Sequence, residues 1–435
     1  MKTNVTRALD TKPQYKKDRI LYILQATVEY FITIAVGTTY LAKVAIEIGM
    51  SDATIALLTQ IIHFSFVFQL IAIPLNKFKH PKRWVTPSLI LIELAFTLVY
   101  LVPLLPAESG IRPLLLVVAV VLGNALHNIN SSAKSAWMIG FVADDKRGSF
   151  TSLMQIASLI GGIAFSYILG NLIDAYEMRG DMRGAFIVGG ILVAALSVIH
   201  VMIFLFTTEI ENEGLVNVSV LSQVKSILTD KNVMKIIPIY LLYYAAMMCA
   251  TPFYSTYQIK ELGFTMSYIA LLSALGAVSR SVFSIVAGKL GDKYGFLKVL
   301  NMAYIIIAIS FLINMFTVPS NGKVFYAIYI FIHCMGMAGV GVSDVNIIYD
   351  YASIDKRVGV IAIRGTATGI VSFVVTLLMG RLVSHIQESG NRFLGMNVYA
   401  QQVGSAMAFI GFILLIIYVN TVAKSAKRYR DVQSK

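Results

Sequence analysis

The sequence predicts an all-α membrane protein with twelve transmembrane helices in two similar bundles of six. Of its 435 residues, 57% are hydrophobic and 14% are charged, whereas about a quarter of the residues in a soluble domain are charged. Apolar segments of about 20 residues, long enough to cross a bilayer as helices, recur along the whole chain. They do not alternate in polarity as the strands of a membrane β-barrel do.

The twelve predicted spans place both termini on one side of the membrane. The first 19 residues are polar and basic and contain no cleavage site before a short apolar core, so we expect the first span to be retained. The spans cover residues 20–47, 53–75, 84–104, 113–142, 148–175, 184–207, 235–260, 265–288, 298–318, 323–349, 358–386 and 399–422.

Lysine and arginine side chains predict the orientation. The tails and even-numbered connections hold 25 of them, and the odd-numbered connections hold 6. Because basic residues accumulate in cytoplasmic loops, we expect a multi-pass protein of an inner or plasma membrane with both termini in the cytoplasm. Because the basic residues lie in short segments between spans, the net charge of +13 indicates contact with membrane lipids and not with nucleic acid. The two cysteines, Cys249 and Cys334, lie inside spans without metal or disulfide spacing, and we predict no cofactor, no metal and a monomer.

One long connection divides the chain into two halves. It begins with acids and continues as an amphipathic segment, which we expect to lie on the inner membrane face. The predicted domains are therefore residues 1–207, a cytoplasmic linker at 208–234, and residues 235–435.

The two halves repeat in sequence. The segment 144–174 matches 354–384 with an offset of 210, and "AIEIG" at 45–49 matches "QIKELG" at 258–263. Parallel repeats of six spans, with a solute site near the membrane midplane, are typical of secondary transporters.

The segment "GKLGDKYGFLKVL" at 288–300 places glycines, an acid and bases at fixed steps. It resembles the loop signature of the major facilitator superfamily, and "DKRG" at 145–148 is similar to the start of that family's fifth span. The resemblance covers the whole chain, but the first-half copy at 73–85 keeps only basic residues. It implies a cytoplasmic gating role for Gly288, Asp292, Lys293, Gly295, Lys298, Asp145 and Arg147.

The chemistry of this segment fits such a role. Gly288 and Gly295 would permit a turn or a close backbone approach, and Asp292 would accept hydrogen bonds from a helix N-terminus. The resemblance places that N-terminus near Gly148 and Ser149. A solvated basic loop is the alternative.

Glu29 and Glu93 lie deep inside predicted spans, where an ionisable side chain is costly and therefore a candidate for function. Glu29 lies about 15 Å along the first span, and we predict that it carries a proton; a structural hydrogen-bonded acid is the alternative. For Glu93, in the middle of span three, the structural interpretation is favoured. Buried lone histidines, His200 among them, are also expected to be structural.

Span four carries a polar helix face that predicts a water-filled solute cavity or, alternatively, polar packing between helices. The face consists of Asn124, His127, Asn128, Ser131, Lys134 and Ser135. The repeat offset relates Lys134 to Asp344 on span ten, a second candidate proton carrier. These two side chains are predicted either to pair across the halves in the outward-open state or to pair each within its own half.

Three further residues are candidate solute contacts. Arg280 on span eight would bind a carboxylate or form a structural pair with Asp350 or Asp344. Tyr243 and Tyr244 lie deep in span seven, which Pro252 should bend. Arg364 is expected to extend towards one end of span eleven.

These features predict a transporter and no enzyme, because the sequence shows neither a nucleotide-binding G-x-x-x-x-G-K-[ST] loop nor a cluster of catalytic groups. We expect proton-coupled symport of a sugar, a sugar acid or an organic anion by alternating access. A drug/proton antiporter is the alternative, although span five lacks the proline of the antiporter signature. A sensor or scaffold without transport activity would gain nothing from charges inside the membrane.

Overall fold

The computed structural model describes residues 13–68, 80, 82–106, 110–139, 141, 147–209, 227–353 and 356–427. Within these residues, eleven helices are long and apolar enough to cross a bilayer, and Asp52–Ile62 forms a shorter apolar helix. The predicted all-α membrane fold is therefore confirmed. The end of the second predicted span lies outside the described residues.

Thirteen α-helices of ten residues or more form the described part of the chain. A two-stranded antiparallel hairpin, β1 Arg392–Phe393 and β2 Met396–Asn397, precedes the last of them. The helices are α1 Pro13–Ala35, α2 Thr38–Glu47, α3 Asp52–Phe64, α4 Lys82–Leu101, α5 Ile111–Ile139, α6 Arg147–Glu177, α7 Met182–Phe206, α8 Val233–Met248, α9 Met266–Tyr294, α10 Phe296–Asn314, α11 Gly322–Tyr351, α12 Arg357–Glu388 and α13 Ala400–Thr421.

Two predicted spans are broken helices. The first changes from α1 to α2 at Gly37, where an added Cβ would lie 2.5 Å from the carbonyl oxygen of Thr33. In the seventh, α8 ends at Met248, and Pro252 lies in a 3-10 turn that leads to a π-helical turn at Tyr257–Glu261. The interruption expected at Pro252 is thus confirmed.

The helices form two compact units. The first holds α1, α2, α4–α7 and the start of α9; within it, α1 packs against α6 and α7, and α4 packs against α5 and α7. The second holds α3, α8, the rest of α9 and α10–α13; within it, α10 packs against α11 and α13, and α12 packs against α3 and α8. Each unit therefore has its own helical core.

The backbone follows the sequence repeat. Helix α6 begins at Arg147 and α12 begins at Arg357, which is the predicted offset of 210. Gly49 and Gly263, matched by the second pair of segments, both adopt left-handed conformations with φ of +79° and +63°. Glycine is the residue that adopts this conformation at little cost, so the same turn is built into both halves.

The connection between α9 and α10 is much shorter than expected. Helix α9 continues to Tyr294, so Gly288, Asp292 and Lys293 lie in its last two turns, and only Gly295, with φ +91°, breaks the helix. Within the described part of the chain, nothing lies within 4 Å of a Cβ added at Gly288, so the close approach predicted there is not seen among these residues. The close approach occurs instead at Gly291, where a Cβ would lie 2.4 Å from the Phe296 ring.

The start of α8 is held by an ion pair outside the membrane-spanning helices. Asp230 accepts hydrogen bonds from Lys356 Nζ at 2.8 Å and from the backbone N–H groups of Asn232 and Val233. Burial by itself raises the pKa of Asp230, but these hydrogen bonds outweigh burial and lower the pKa below its ordinary value of 3.8. The carboxylate therefore stabilises this connection in its ionised form.

Candidate functional site

A cavity of about 360 Å³ lies within the first unit. Helices α1 and α5 supply most of its lining, and Met154 of α6 completes it. The predicted candidates Glu29, His127 and Lys134 all face this cavity. The polar residues that the sequence singled out on two separate spans are therefore brought together at one site.

Two basic side chains of α5, a lysine and a histidine, contact the Glu29 carboxylate. Lys134 Nζ donates a hydrogen bond to the carboxylate, and the two side chains are 14% and 20% exposed. His127 Nδ1 lies 3.6 Å from the same oxygen, Oε1. The contact has the geometry of a charge-assisted hydrogen bond between an ammonium group and a carboxylate.

The second oxygen of Glu29 faces a residue that the sequence analysis did not select. Gln25, one helical turn earlier on α1, donates from Nε2 to Glu29 Oε2 at 2.7 Å. The same nitrogen lies 3.2 Å from His200 Nε2 on α7. The spacing of four residues, which puts Gln25 and Glu29 on one helix face, was the available signal.

Behind Gln25, the hydrogen bonds continue into the core of the unit. His200 Nδ1 lies 2.6 Å from Glu93 Oε1, and Ser197 Oγ donates to Glu93 Oε2 at 2.7 Å. His200 is 1% exposed and Glu93 is 5% exposed. Glu93 is thus a satisfied buried acid, as expected, but His200 joins it to the cavity acid, and no spacing between α4 and α7 predicted that contact.

The polar face of α5 divides into two parts. Lys134, His127 and Ser131 line the cavity. Asn128 is buried and donates to Ser65 Oγ at 2.7 Å, and Asn124 donates to a carbonyl of its own helix at 2.8 Å. The first part fits the predicted solute cavity, and the second fits the alternative of polar packing.

The second unit holds its own ion pair. Asp344 Oδ1 on α11 lies 2.6 Å from the Arg364 guanidinium on α12, which also stacks 4.8 Å from the centre of the Tyr240 ring. Arg364 lies at the start of its apolar span, as expected, and its guanidinium contacts side chains of α11 and α8 there. Lys134 and Asp344 each pair within their own unit, which is the alternative that the sequence left open.

Arg280 on α9 is a cation with a different environment. Its guanidinium lies against the backbone of α11, 3.2 Å from where a Cβ at Gly341 would be. Among the described residues, no acidic side chain lies within ion-pair distance of it. Because Asp344 is engaged by Arg364, the structural pair expected between Arg280 and Asp344 is not seen in the described part of the chain. Anion binding by Arg280 stays a prediction.

The two tyrosines of α8 differ in accessibility. Tyr243 is 6% exposed, donates its hydroxyl to Met337 Sδ at 3.1 Å and stacks on Tyr304 at 5.7 Å. Tyr244 is half-buried and packs edge-on against Tyr243. Tyr243 is therefore part of the aromatic core of its unit, and Tyr244 is the more accessible of the two candidates for solute contact.

The predicted gating residues are only partly described. Asp292, Lys293 and Lys298 are exposed side chains near the α9–α10 junction. Asp145 lies outside the described residues, and Arg147 begins α6. Their gating role stays a prediction.

The chain is similar to known membrane transporters. A family model described as the Major Facilitator Superfamily matches residues 20–379 and 236–432. A mutant of the nucleoside transporter NupG has a similar structure, with a TM-score of 0.74 and 13% identity over 93% of this chain and 99% of that chain. A D-xylose-proton symporter gives a TM-score of 0.63 and 12% identity over 92% and 96%.

An auto-inhibited peptide transporter of the POT family is also similar, with a TM-score of 0.69 and 12% identity over 93% of this chain and 97% of that chain. No curated protein sequence matches the chain significantly. At these identities the structural likenesses show a shared fold.

Proposed function

This chain belongs to the major facilitator superfamily, and we propose that it carries a small polar solute across the membrane together with a proton. Members of this fold are secondary transporters without an enzymatic reaction. The solute classes that suit the site are sugars, sugar acids and organic anions. Glu29 is the proposed proton carrier.

The observation that carries this proposal is the Glu29–Lys134 pair at the wall of the cavity. When Glu29 is ionised, its carboxylate holds the Lys134 ammonium group. When Glu29 takes up a proton, this attraction is lost, and the ammonium group becomes available to a solute. Because such coupling is reciprocal, a solute that binds Lys134 also favours protonation of Glu29.

The lining of the cavity favours a hydroxylated or anionic solute. Lys134 supplies three N–H donors, and His127, Ser131 and Tyr22 add polar groups that face the same space. A carboxylate would replace the charge that Glu29 loses on protonation. A bulky apolar drug would leave these groups without partners, which costs about 1–3 kcal/mol for each buried group.

Two measurements test the proposal in sequence. Glucose, glucuronate and lactate are first compared for their effect on the unfolding temperature of the purified protein, because a bound solute stabilises the folded state. Uptake of the stabilising solute into proteoliposomes is then measured with the external medium more acidic than the lumen. We expect accumulation above the external concentration. Equal uptake with and without the pH gradient would contradict proton coupling, and export of the solute against its own gradient would indicate antiport.

A further inference from the structure

The two oxygens of the Glu29 carboxylate face different partners. Oε1 accepts the hydrogen bond from Lys134 and lies 3.6 Å from His127 Nδ1. Oε2 accepts from Gln25 Nε2 at 2.7 Å. The proton that neutralises Glu29 can therefore form its O–H bond on one of two oxygens that are chemically distinct.

The orientation of the Gln25 amide is fixed from both sides. One N–H group donates to the Glu29 carboxylate, and the other faces His200 Nε2 at 3.2 Å. His200 is in turn oriented by Glu93, because the carboxylate requires a donor and Nδ1, at 2.6 Å, supplies it. In its neutral form, His200 therefore carries its proton on Nδ1 and accepts from Gln25 on Nε2.

A proton on Oε2 conflicts with this chain of hydrogen bonds. Its O–H group would point at the amide N–H of Gln25, so that two donors face each other. If the amide rotated, its oxygen could accept the proton on Oε2. The same oxygen would then face the lone pair of His200 Nε2, so that two acceptors would face each other. Gln25 is 1% exposed, and an unmatched buried donor or acceptor disfavours such a state by about tenfold or more.

We propose that Gln25 directs the proton to Oε1 of Glu29, the oxygen that holds Lys134, and so makes proton uptake and Lys134 release one event. The proton arrives from the cavity and forms the O–H bond on Oε1. The ion pair breaks, and the Lys134 ammonium keeps its own proton and charge. Gln25, His200 and Glu93 are positioning residues for this step. The inference rests on the proposed function only in taking Glu29 as the proton carrier.

Other charged or titratable groups near Glu29 are compatible with this assignment. From α5, Lys134 and His127 approach Oε1, while from α7 and α4 the His200–Glu93 pair acts through Gln25 on Oε2. On α1 itself, Tyr22 lines the same cavity, and the described lining residue of α6 is the uncharged Met154. The cationic partners are thus on one side of the carboxylate.

The tautomer of His200 in the unchanged protein is the first test. Nitrogen NMR of protein labelled with ¹⁵N-histidine in lipid distinguishes the Nδ1–H tautomer, the Nε2–H tautomer and the imidazolium ion, and a His200→Asn sample assigns the signal. We expect the neutral Nδ1–H tautomer on both sides of the Glu29 titration. An Nε2–H tautomer or an imidazolium ion at either pH would overturn the inference.

The second test is a double-mutant titration of the carrier without solute. The protonated carboxyl band is followed by infrared spectroscopy against pH and assigned by its loss in Glu29→Gln. Lys134→Met should raise the pH midpoint of the band by at least one unit, which is a tenfold change in proton affinity, because Lys134 competes for Oε1. In a Gln25→Leu background the proton can occupy Oε2. There, Lys134→Met should raise the pH midpoint by less than half of the shift that it causes in the otherwise unchanged protein.

A matched control separates this effect from the general loss of a buried amide. Asn130 donates to Ser88 Oγ at 2.6 Å elsewhere in the first unit and is 3% exposed. Asn130→Leu should leave the full Lys134→Met shift intact. Equal shifts in the Gln25→Leu and unchanged backgrounds, or a band that persists in Glu29→Gln, would overturn the inference. Because neither test uses a solute or a pH gradient across a membrane, their outcome is independent of the uptake experiment.

Discussion

Replacement of Asp174 should loosen the beginning of α9. The Asp174 carboxylate, near the end of α6, accepts hydrogen bonds from the backbone N–H groups of Met266 at 2.7 Å and Ser267 at 2.8 Å. These groups belong to the first turn of α9, whose N–H groups have no partner within the helix. An added Cβ at Gly170, one turn earlier on α6, would lie 3.0 Å from the same backbone. Glycine and aspartate together thus join α6 to the α9 terminus.

The size of the effect follows from these contacts. Loss of a helix-capping side chain costs about 1 kcal/mol, and a partly buried anion at a helix N-terminus contributes up to about 2 kcal/mol more. Asp174 is 9% exposed, so solvent screens it little. We expect Asp174→Ala to destabilise the α9 terminus by about 2–3 kcal/mol, which corresponds to roughly 30-fold to 160-fold more local opening. Asp174→Asn keeps an acceptor and should cost about 1 kcal/mol.

Amide hydrogen exchange in detergent or nanodiscs measures this opening directly, at residues 266–268. Asp181 provides a matched control, because it caps α7 by accepting from the Gly184 N–H at 2.9 Å. Asp181→Ala should accelerate exchange at the start of α7 and leave α9 unchanged. Unaltered exchange at 266–268 in Asp174→Ala would refute the capping role, and so would equal acceleration in both variants.

Three other outcomes are expected. The pKa of Asp230 is lowered, so its ion pair stabilises the folded state above pH about 3.8, and this stabilisation is lost as the pH falls below that value. In Lys356→Met, the free energy of unfolding should therefore decrease less between pH 5 and pH 3 than in the unchanged protein, as measured by chemical denaturation. Arg364→Lys should lower the unfolding temperature, because lysine keeps the charge opposite Asp344 but loses the planar guanidinium; an unchanged temperature would show that charge alone suffices. Gly295→Ala should cost about 1 kcal/mol, because φ there is +91°. Gly288→Ala is the control and should instead raise stability by about 0.5–1 kcal/mol, because Gly288 lies inside α9 and alanine is the better helix former.

The sequence predicted features that depend on local spacing or on the repeat. The starts of α6 and α12, the correspondence of Gly49 with Gly263, and the break at Pro252 are of this kind. Their physical causes act within a few residues, through helix termination and backbone conformation. The polar face of α5 was predicted for the same reason, since helical spacing places its members together.

Contacts between helices distant in the sequence could not be predicted in this way. His200 and Glu93 meet because α4 and α7 pack side by side, and neither position carries a local signal of the other. Arg364 meets Asp344 and the Tyr240 ring because α8, α11 and α12 pack together, and its position at a span end did not predict these partners. The length of α9 was also underestimated, because a glycine inside a helix costs only about 1 kcal/mol and does not have to end it.

Proton coupling through Glu29 is tested most directly by comparing two substitutions in the same proteoliposome preparation. Glu29→Gln removes the proposed proton carrier. Glu177→Gln removes the carboxylate of another lysine–glutamate pair in the first unit, with Lys43 at 2.5 Å, away from the cavity. Both variants are assayed for exchange of labelled solute at equal concentrations and for accumulation driven by a pH gradient.

We predict that Glu29→Gln retains exchange but loses accumulation, because solute can still cross while the proton has no site. Glu177→Gln should retain both. Normal accumulation by Glu29→Gln, with exchange at the level of the unchanged protein, would contradict the assignment of Glu29 as the proton carrier.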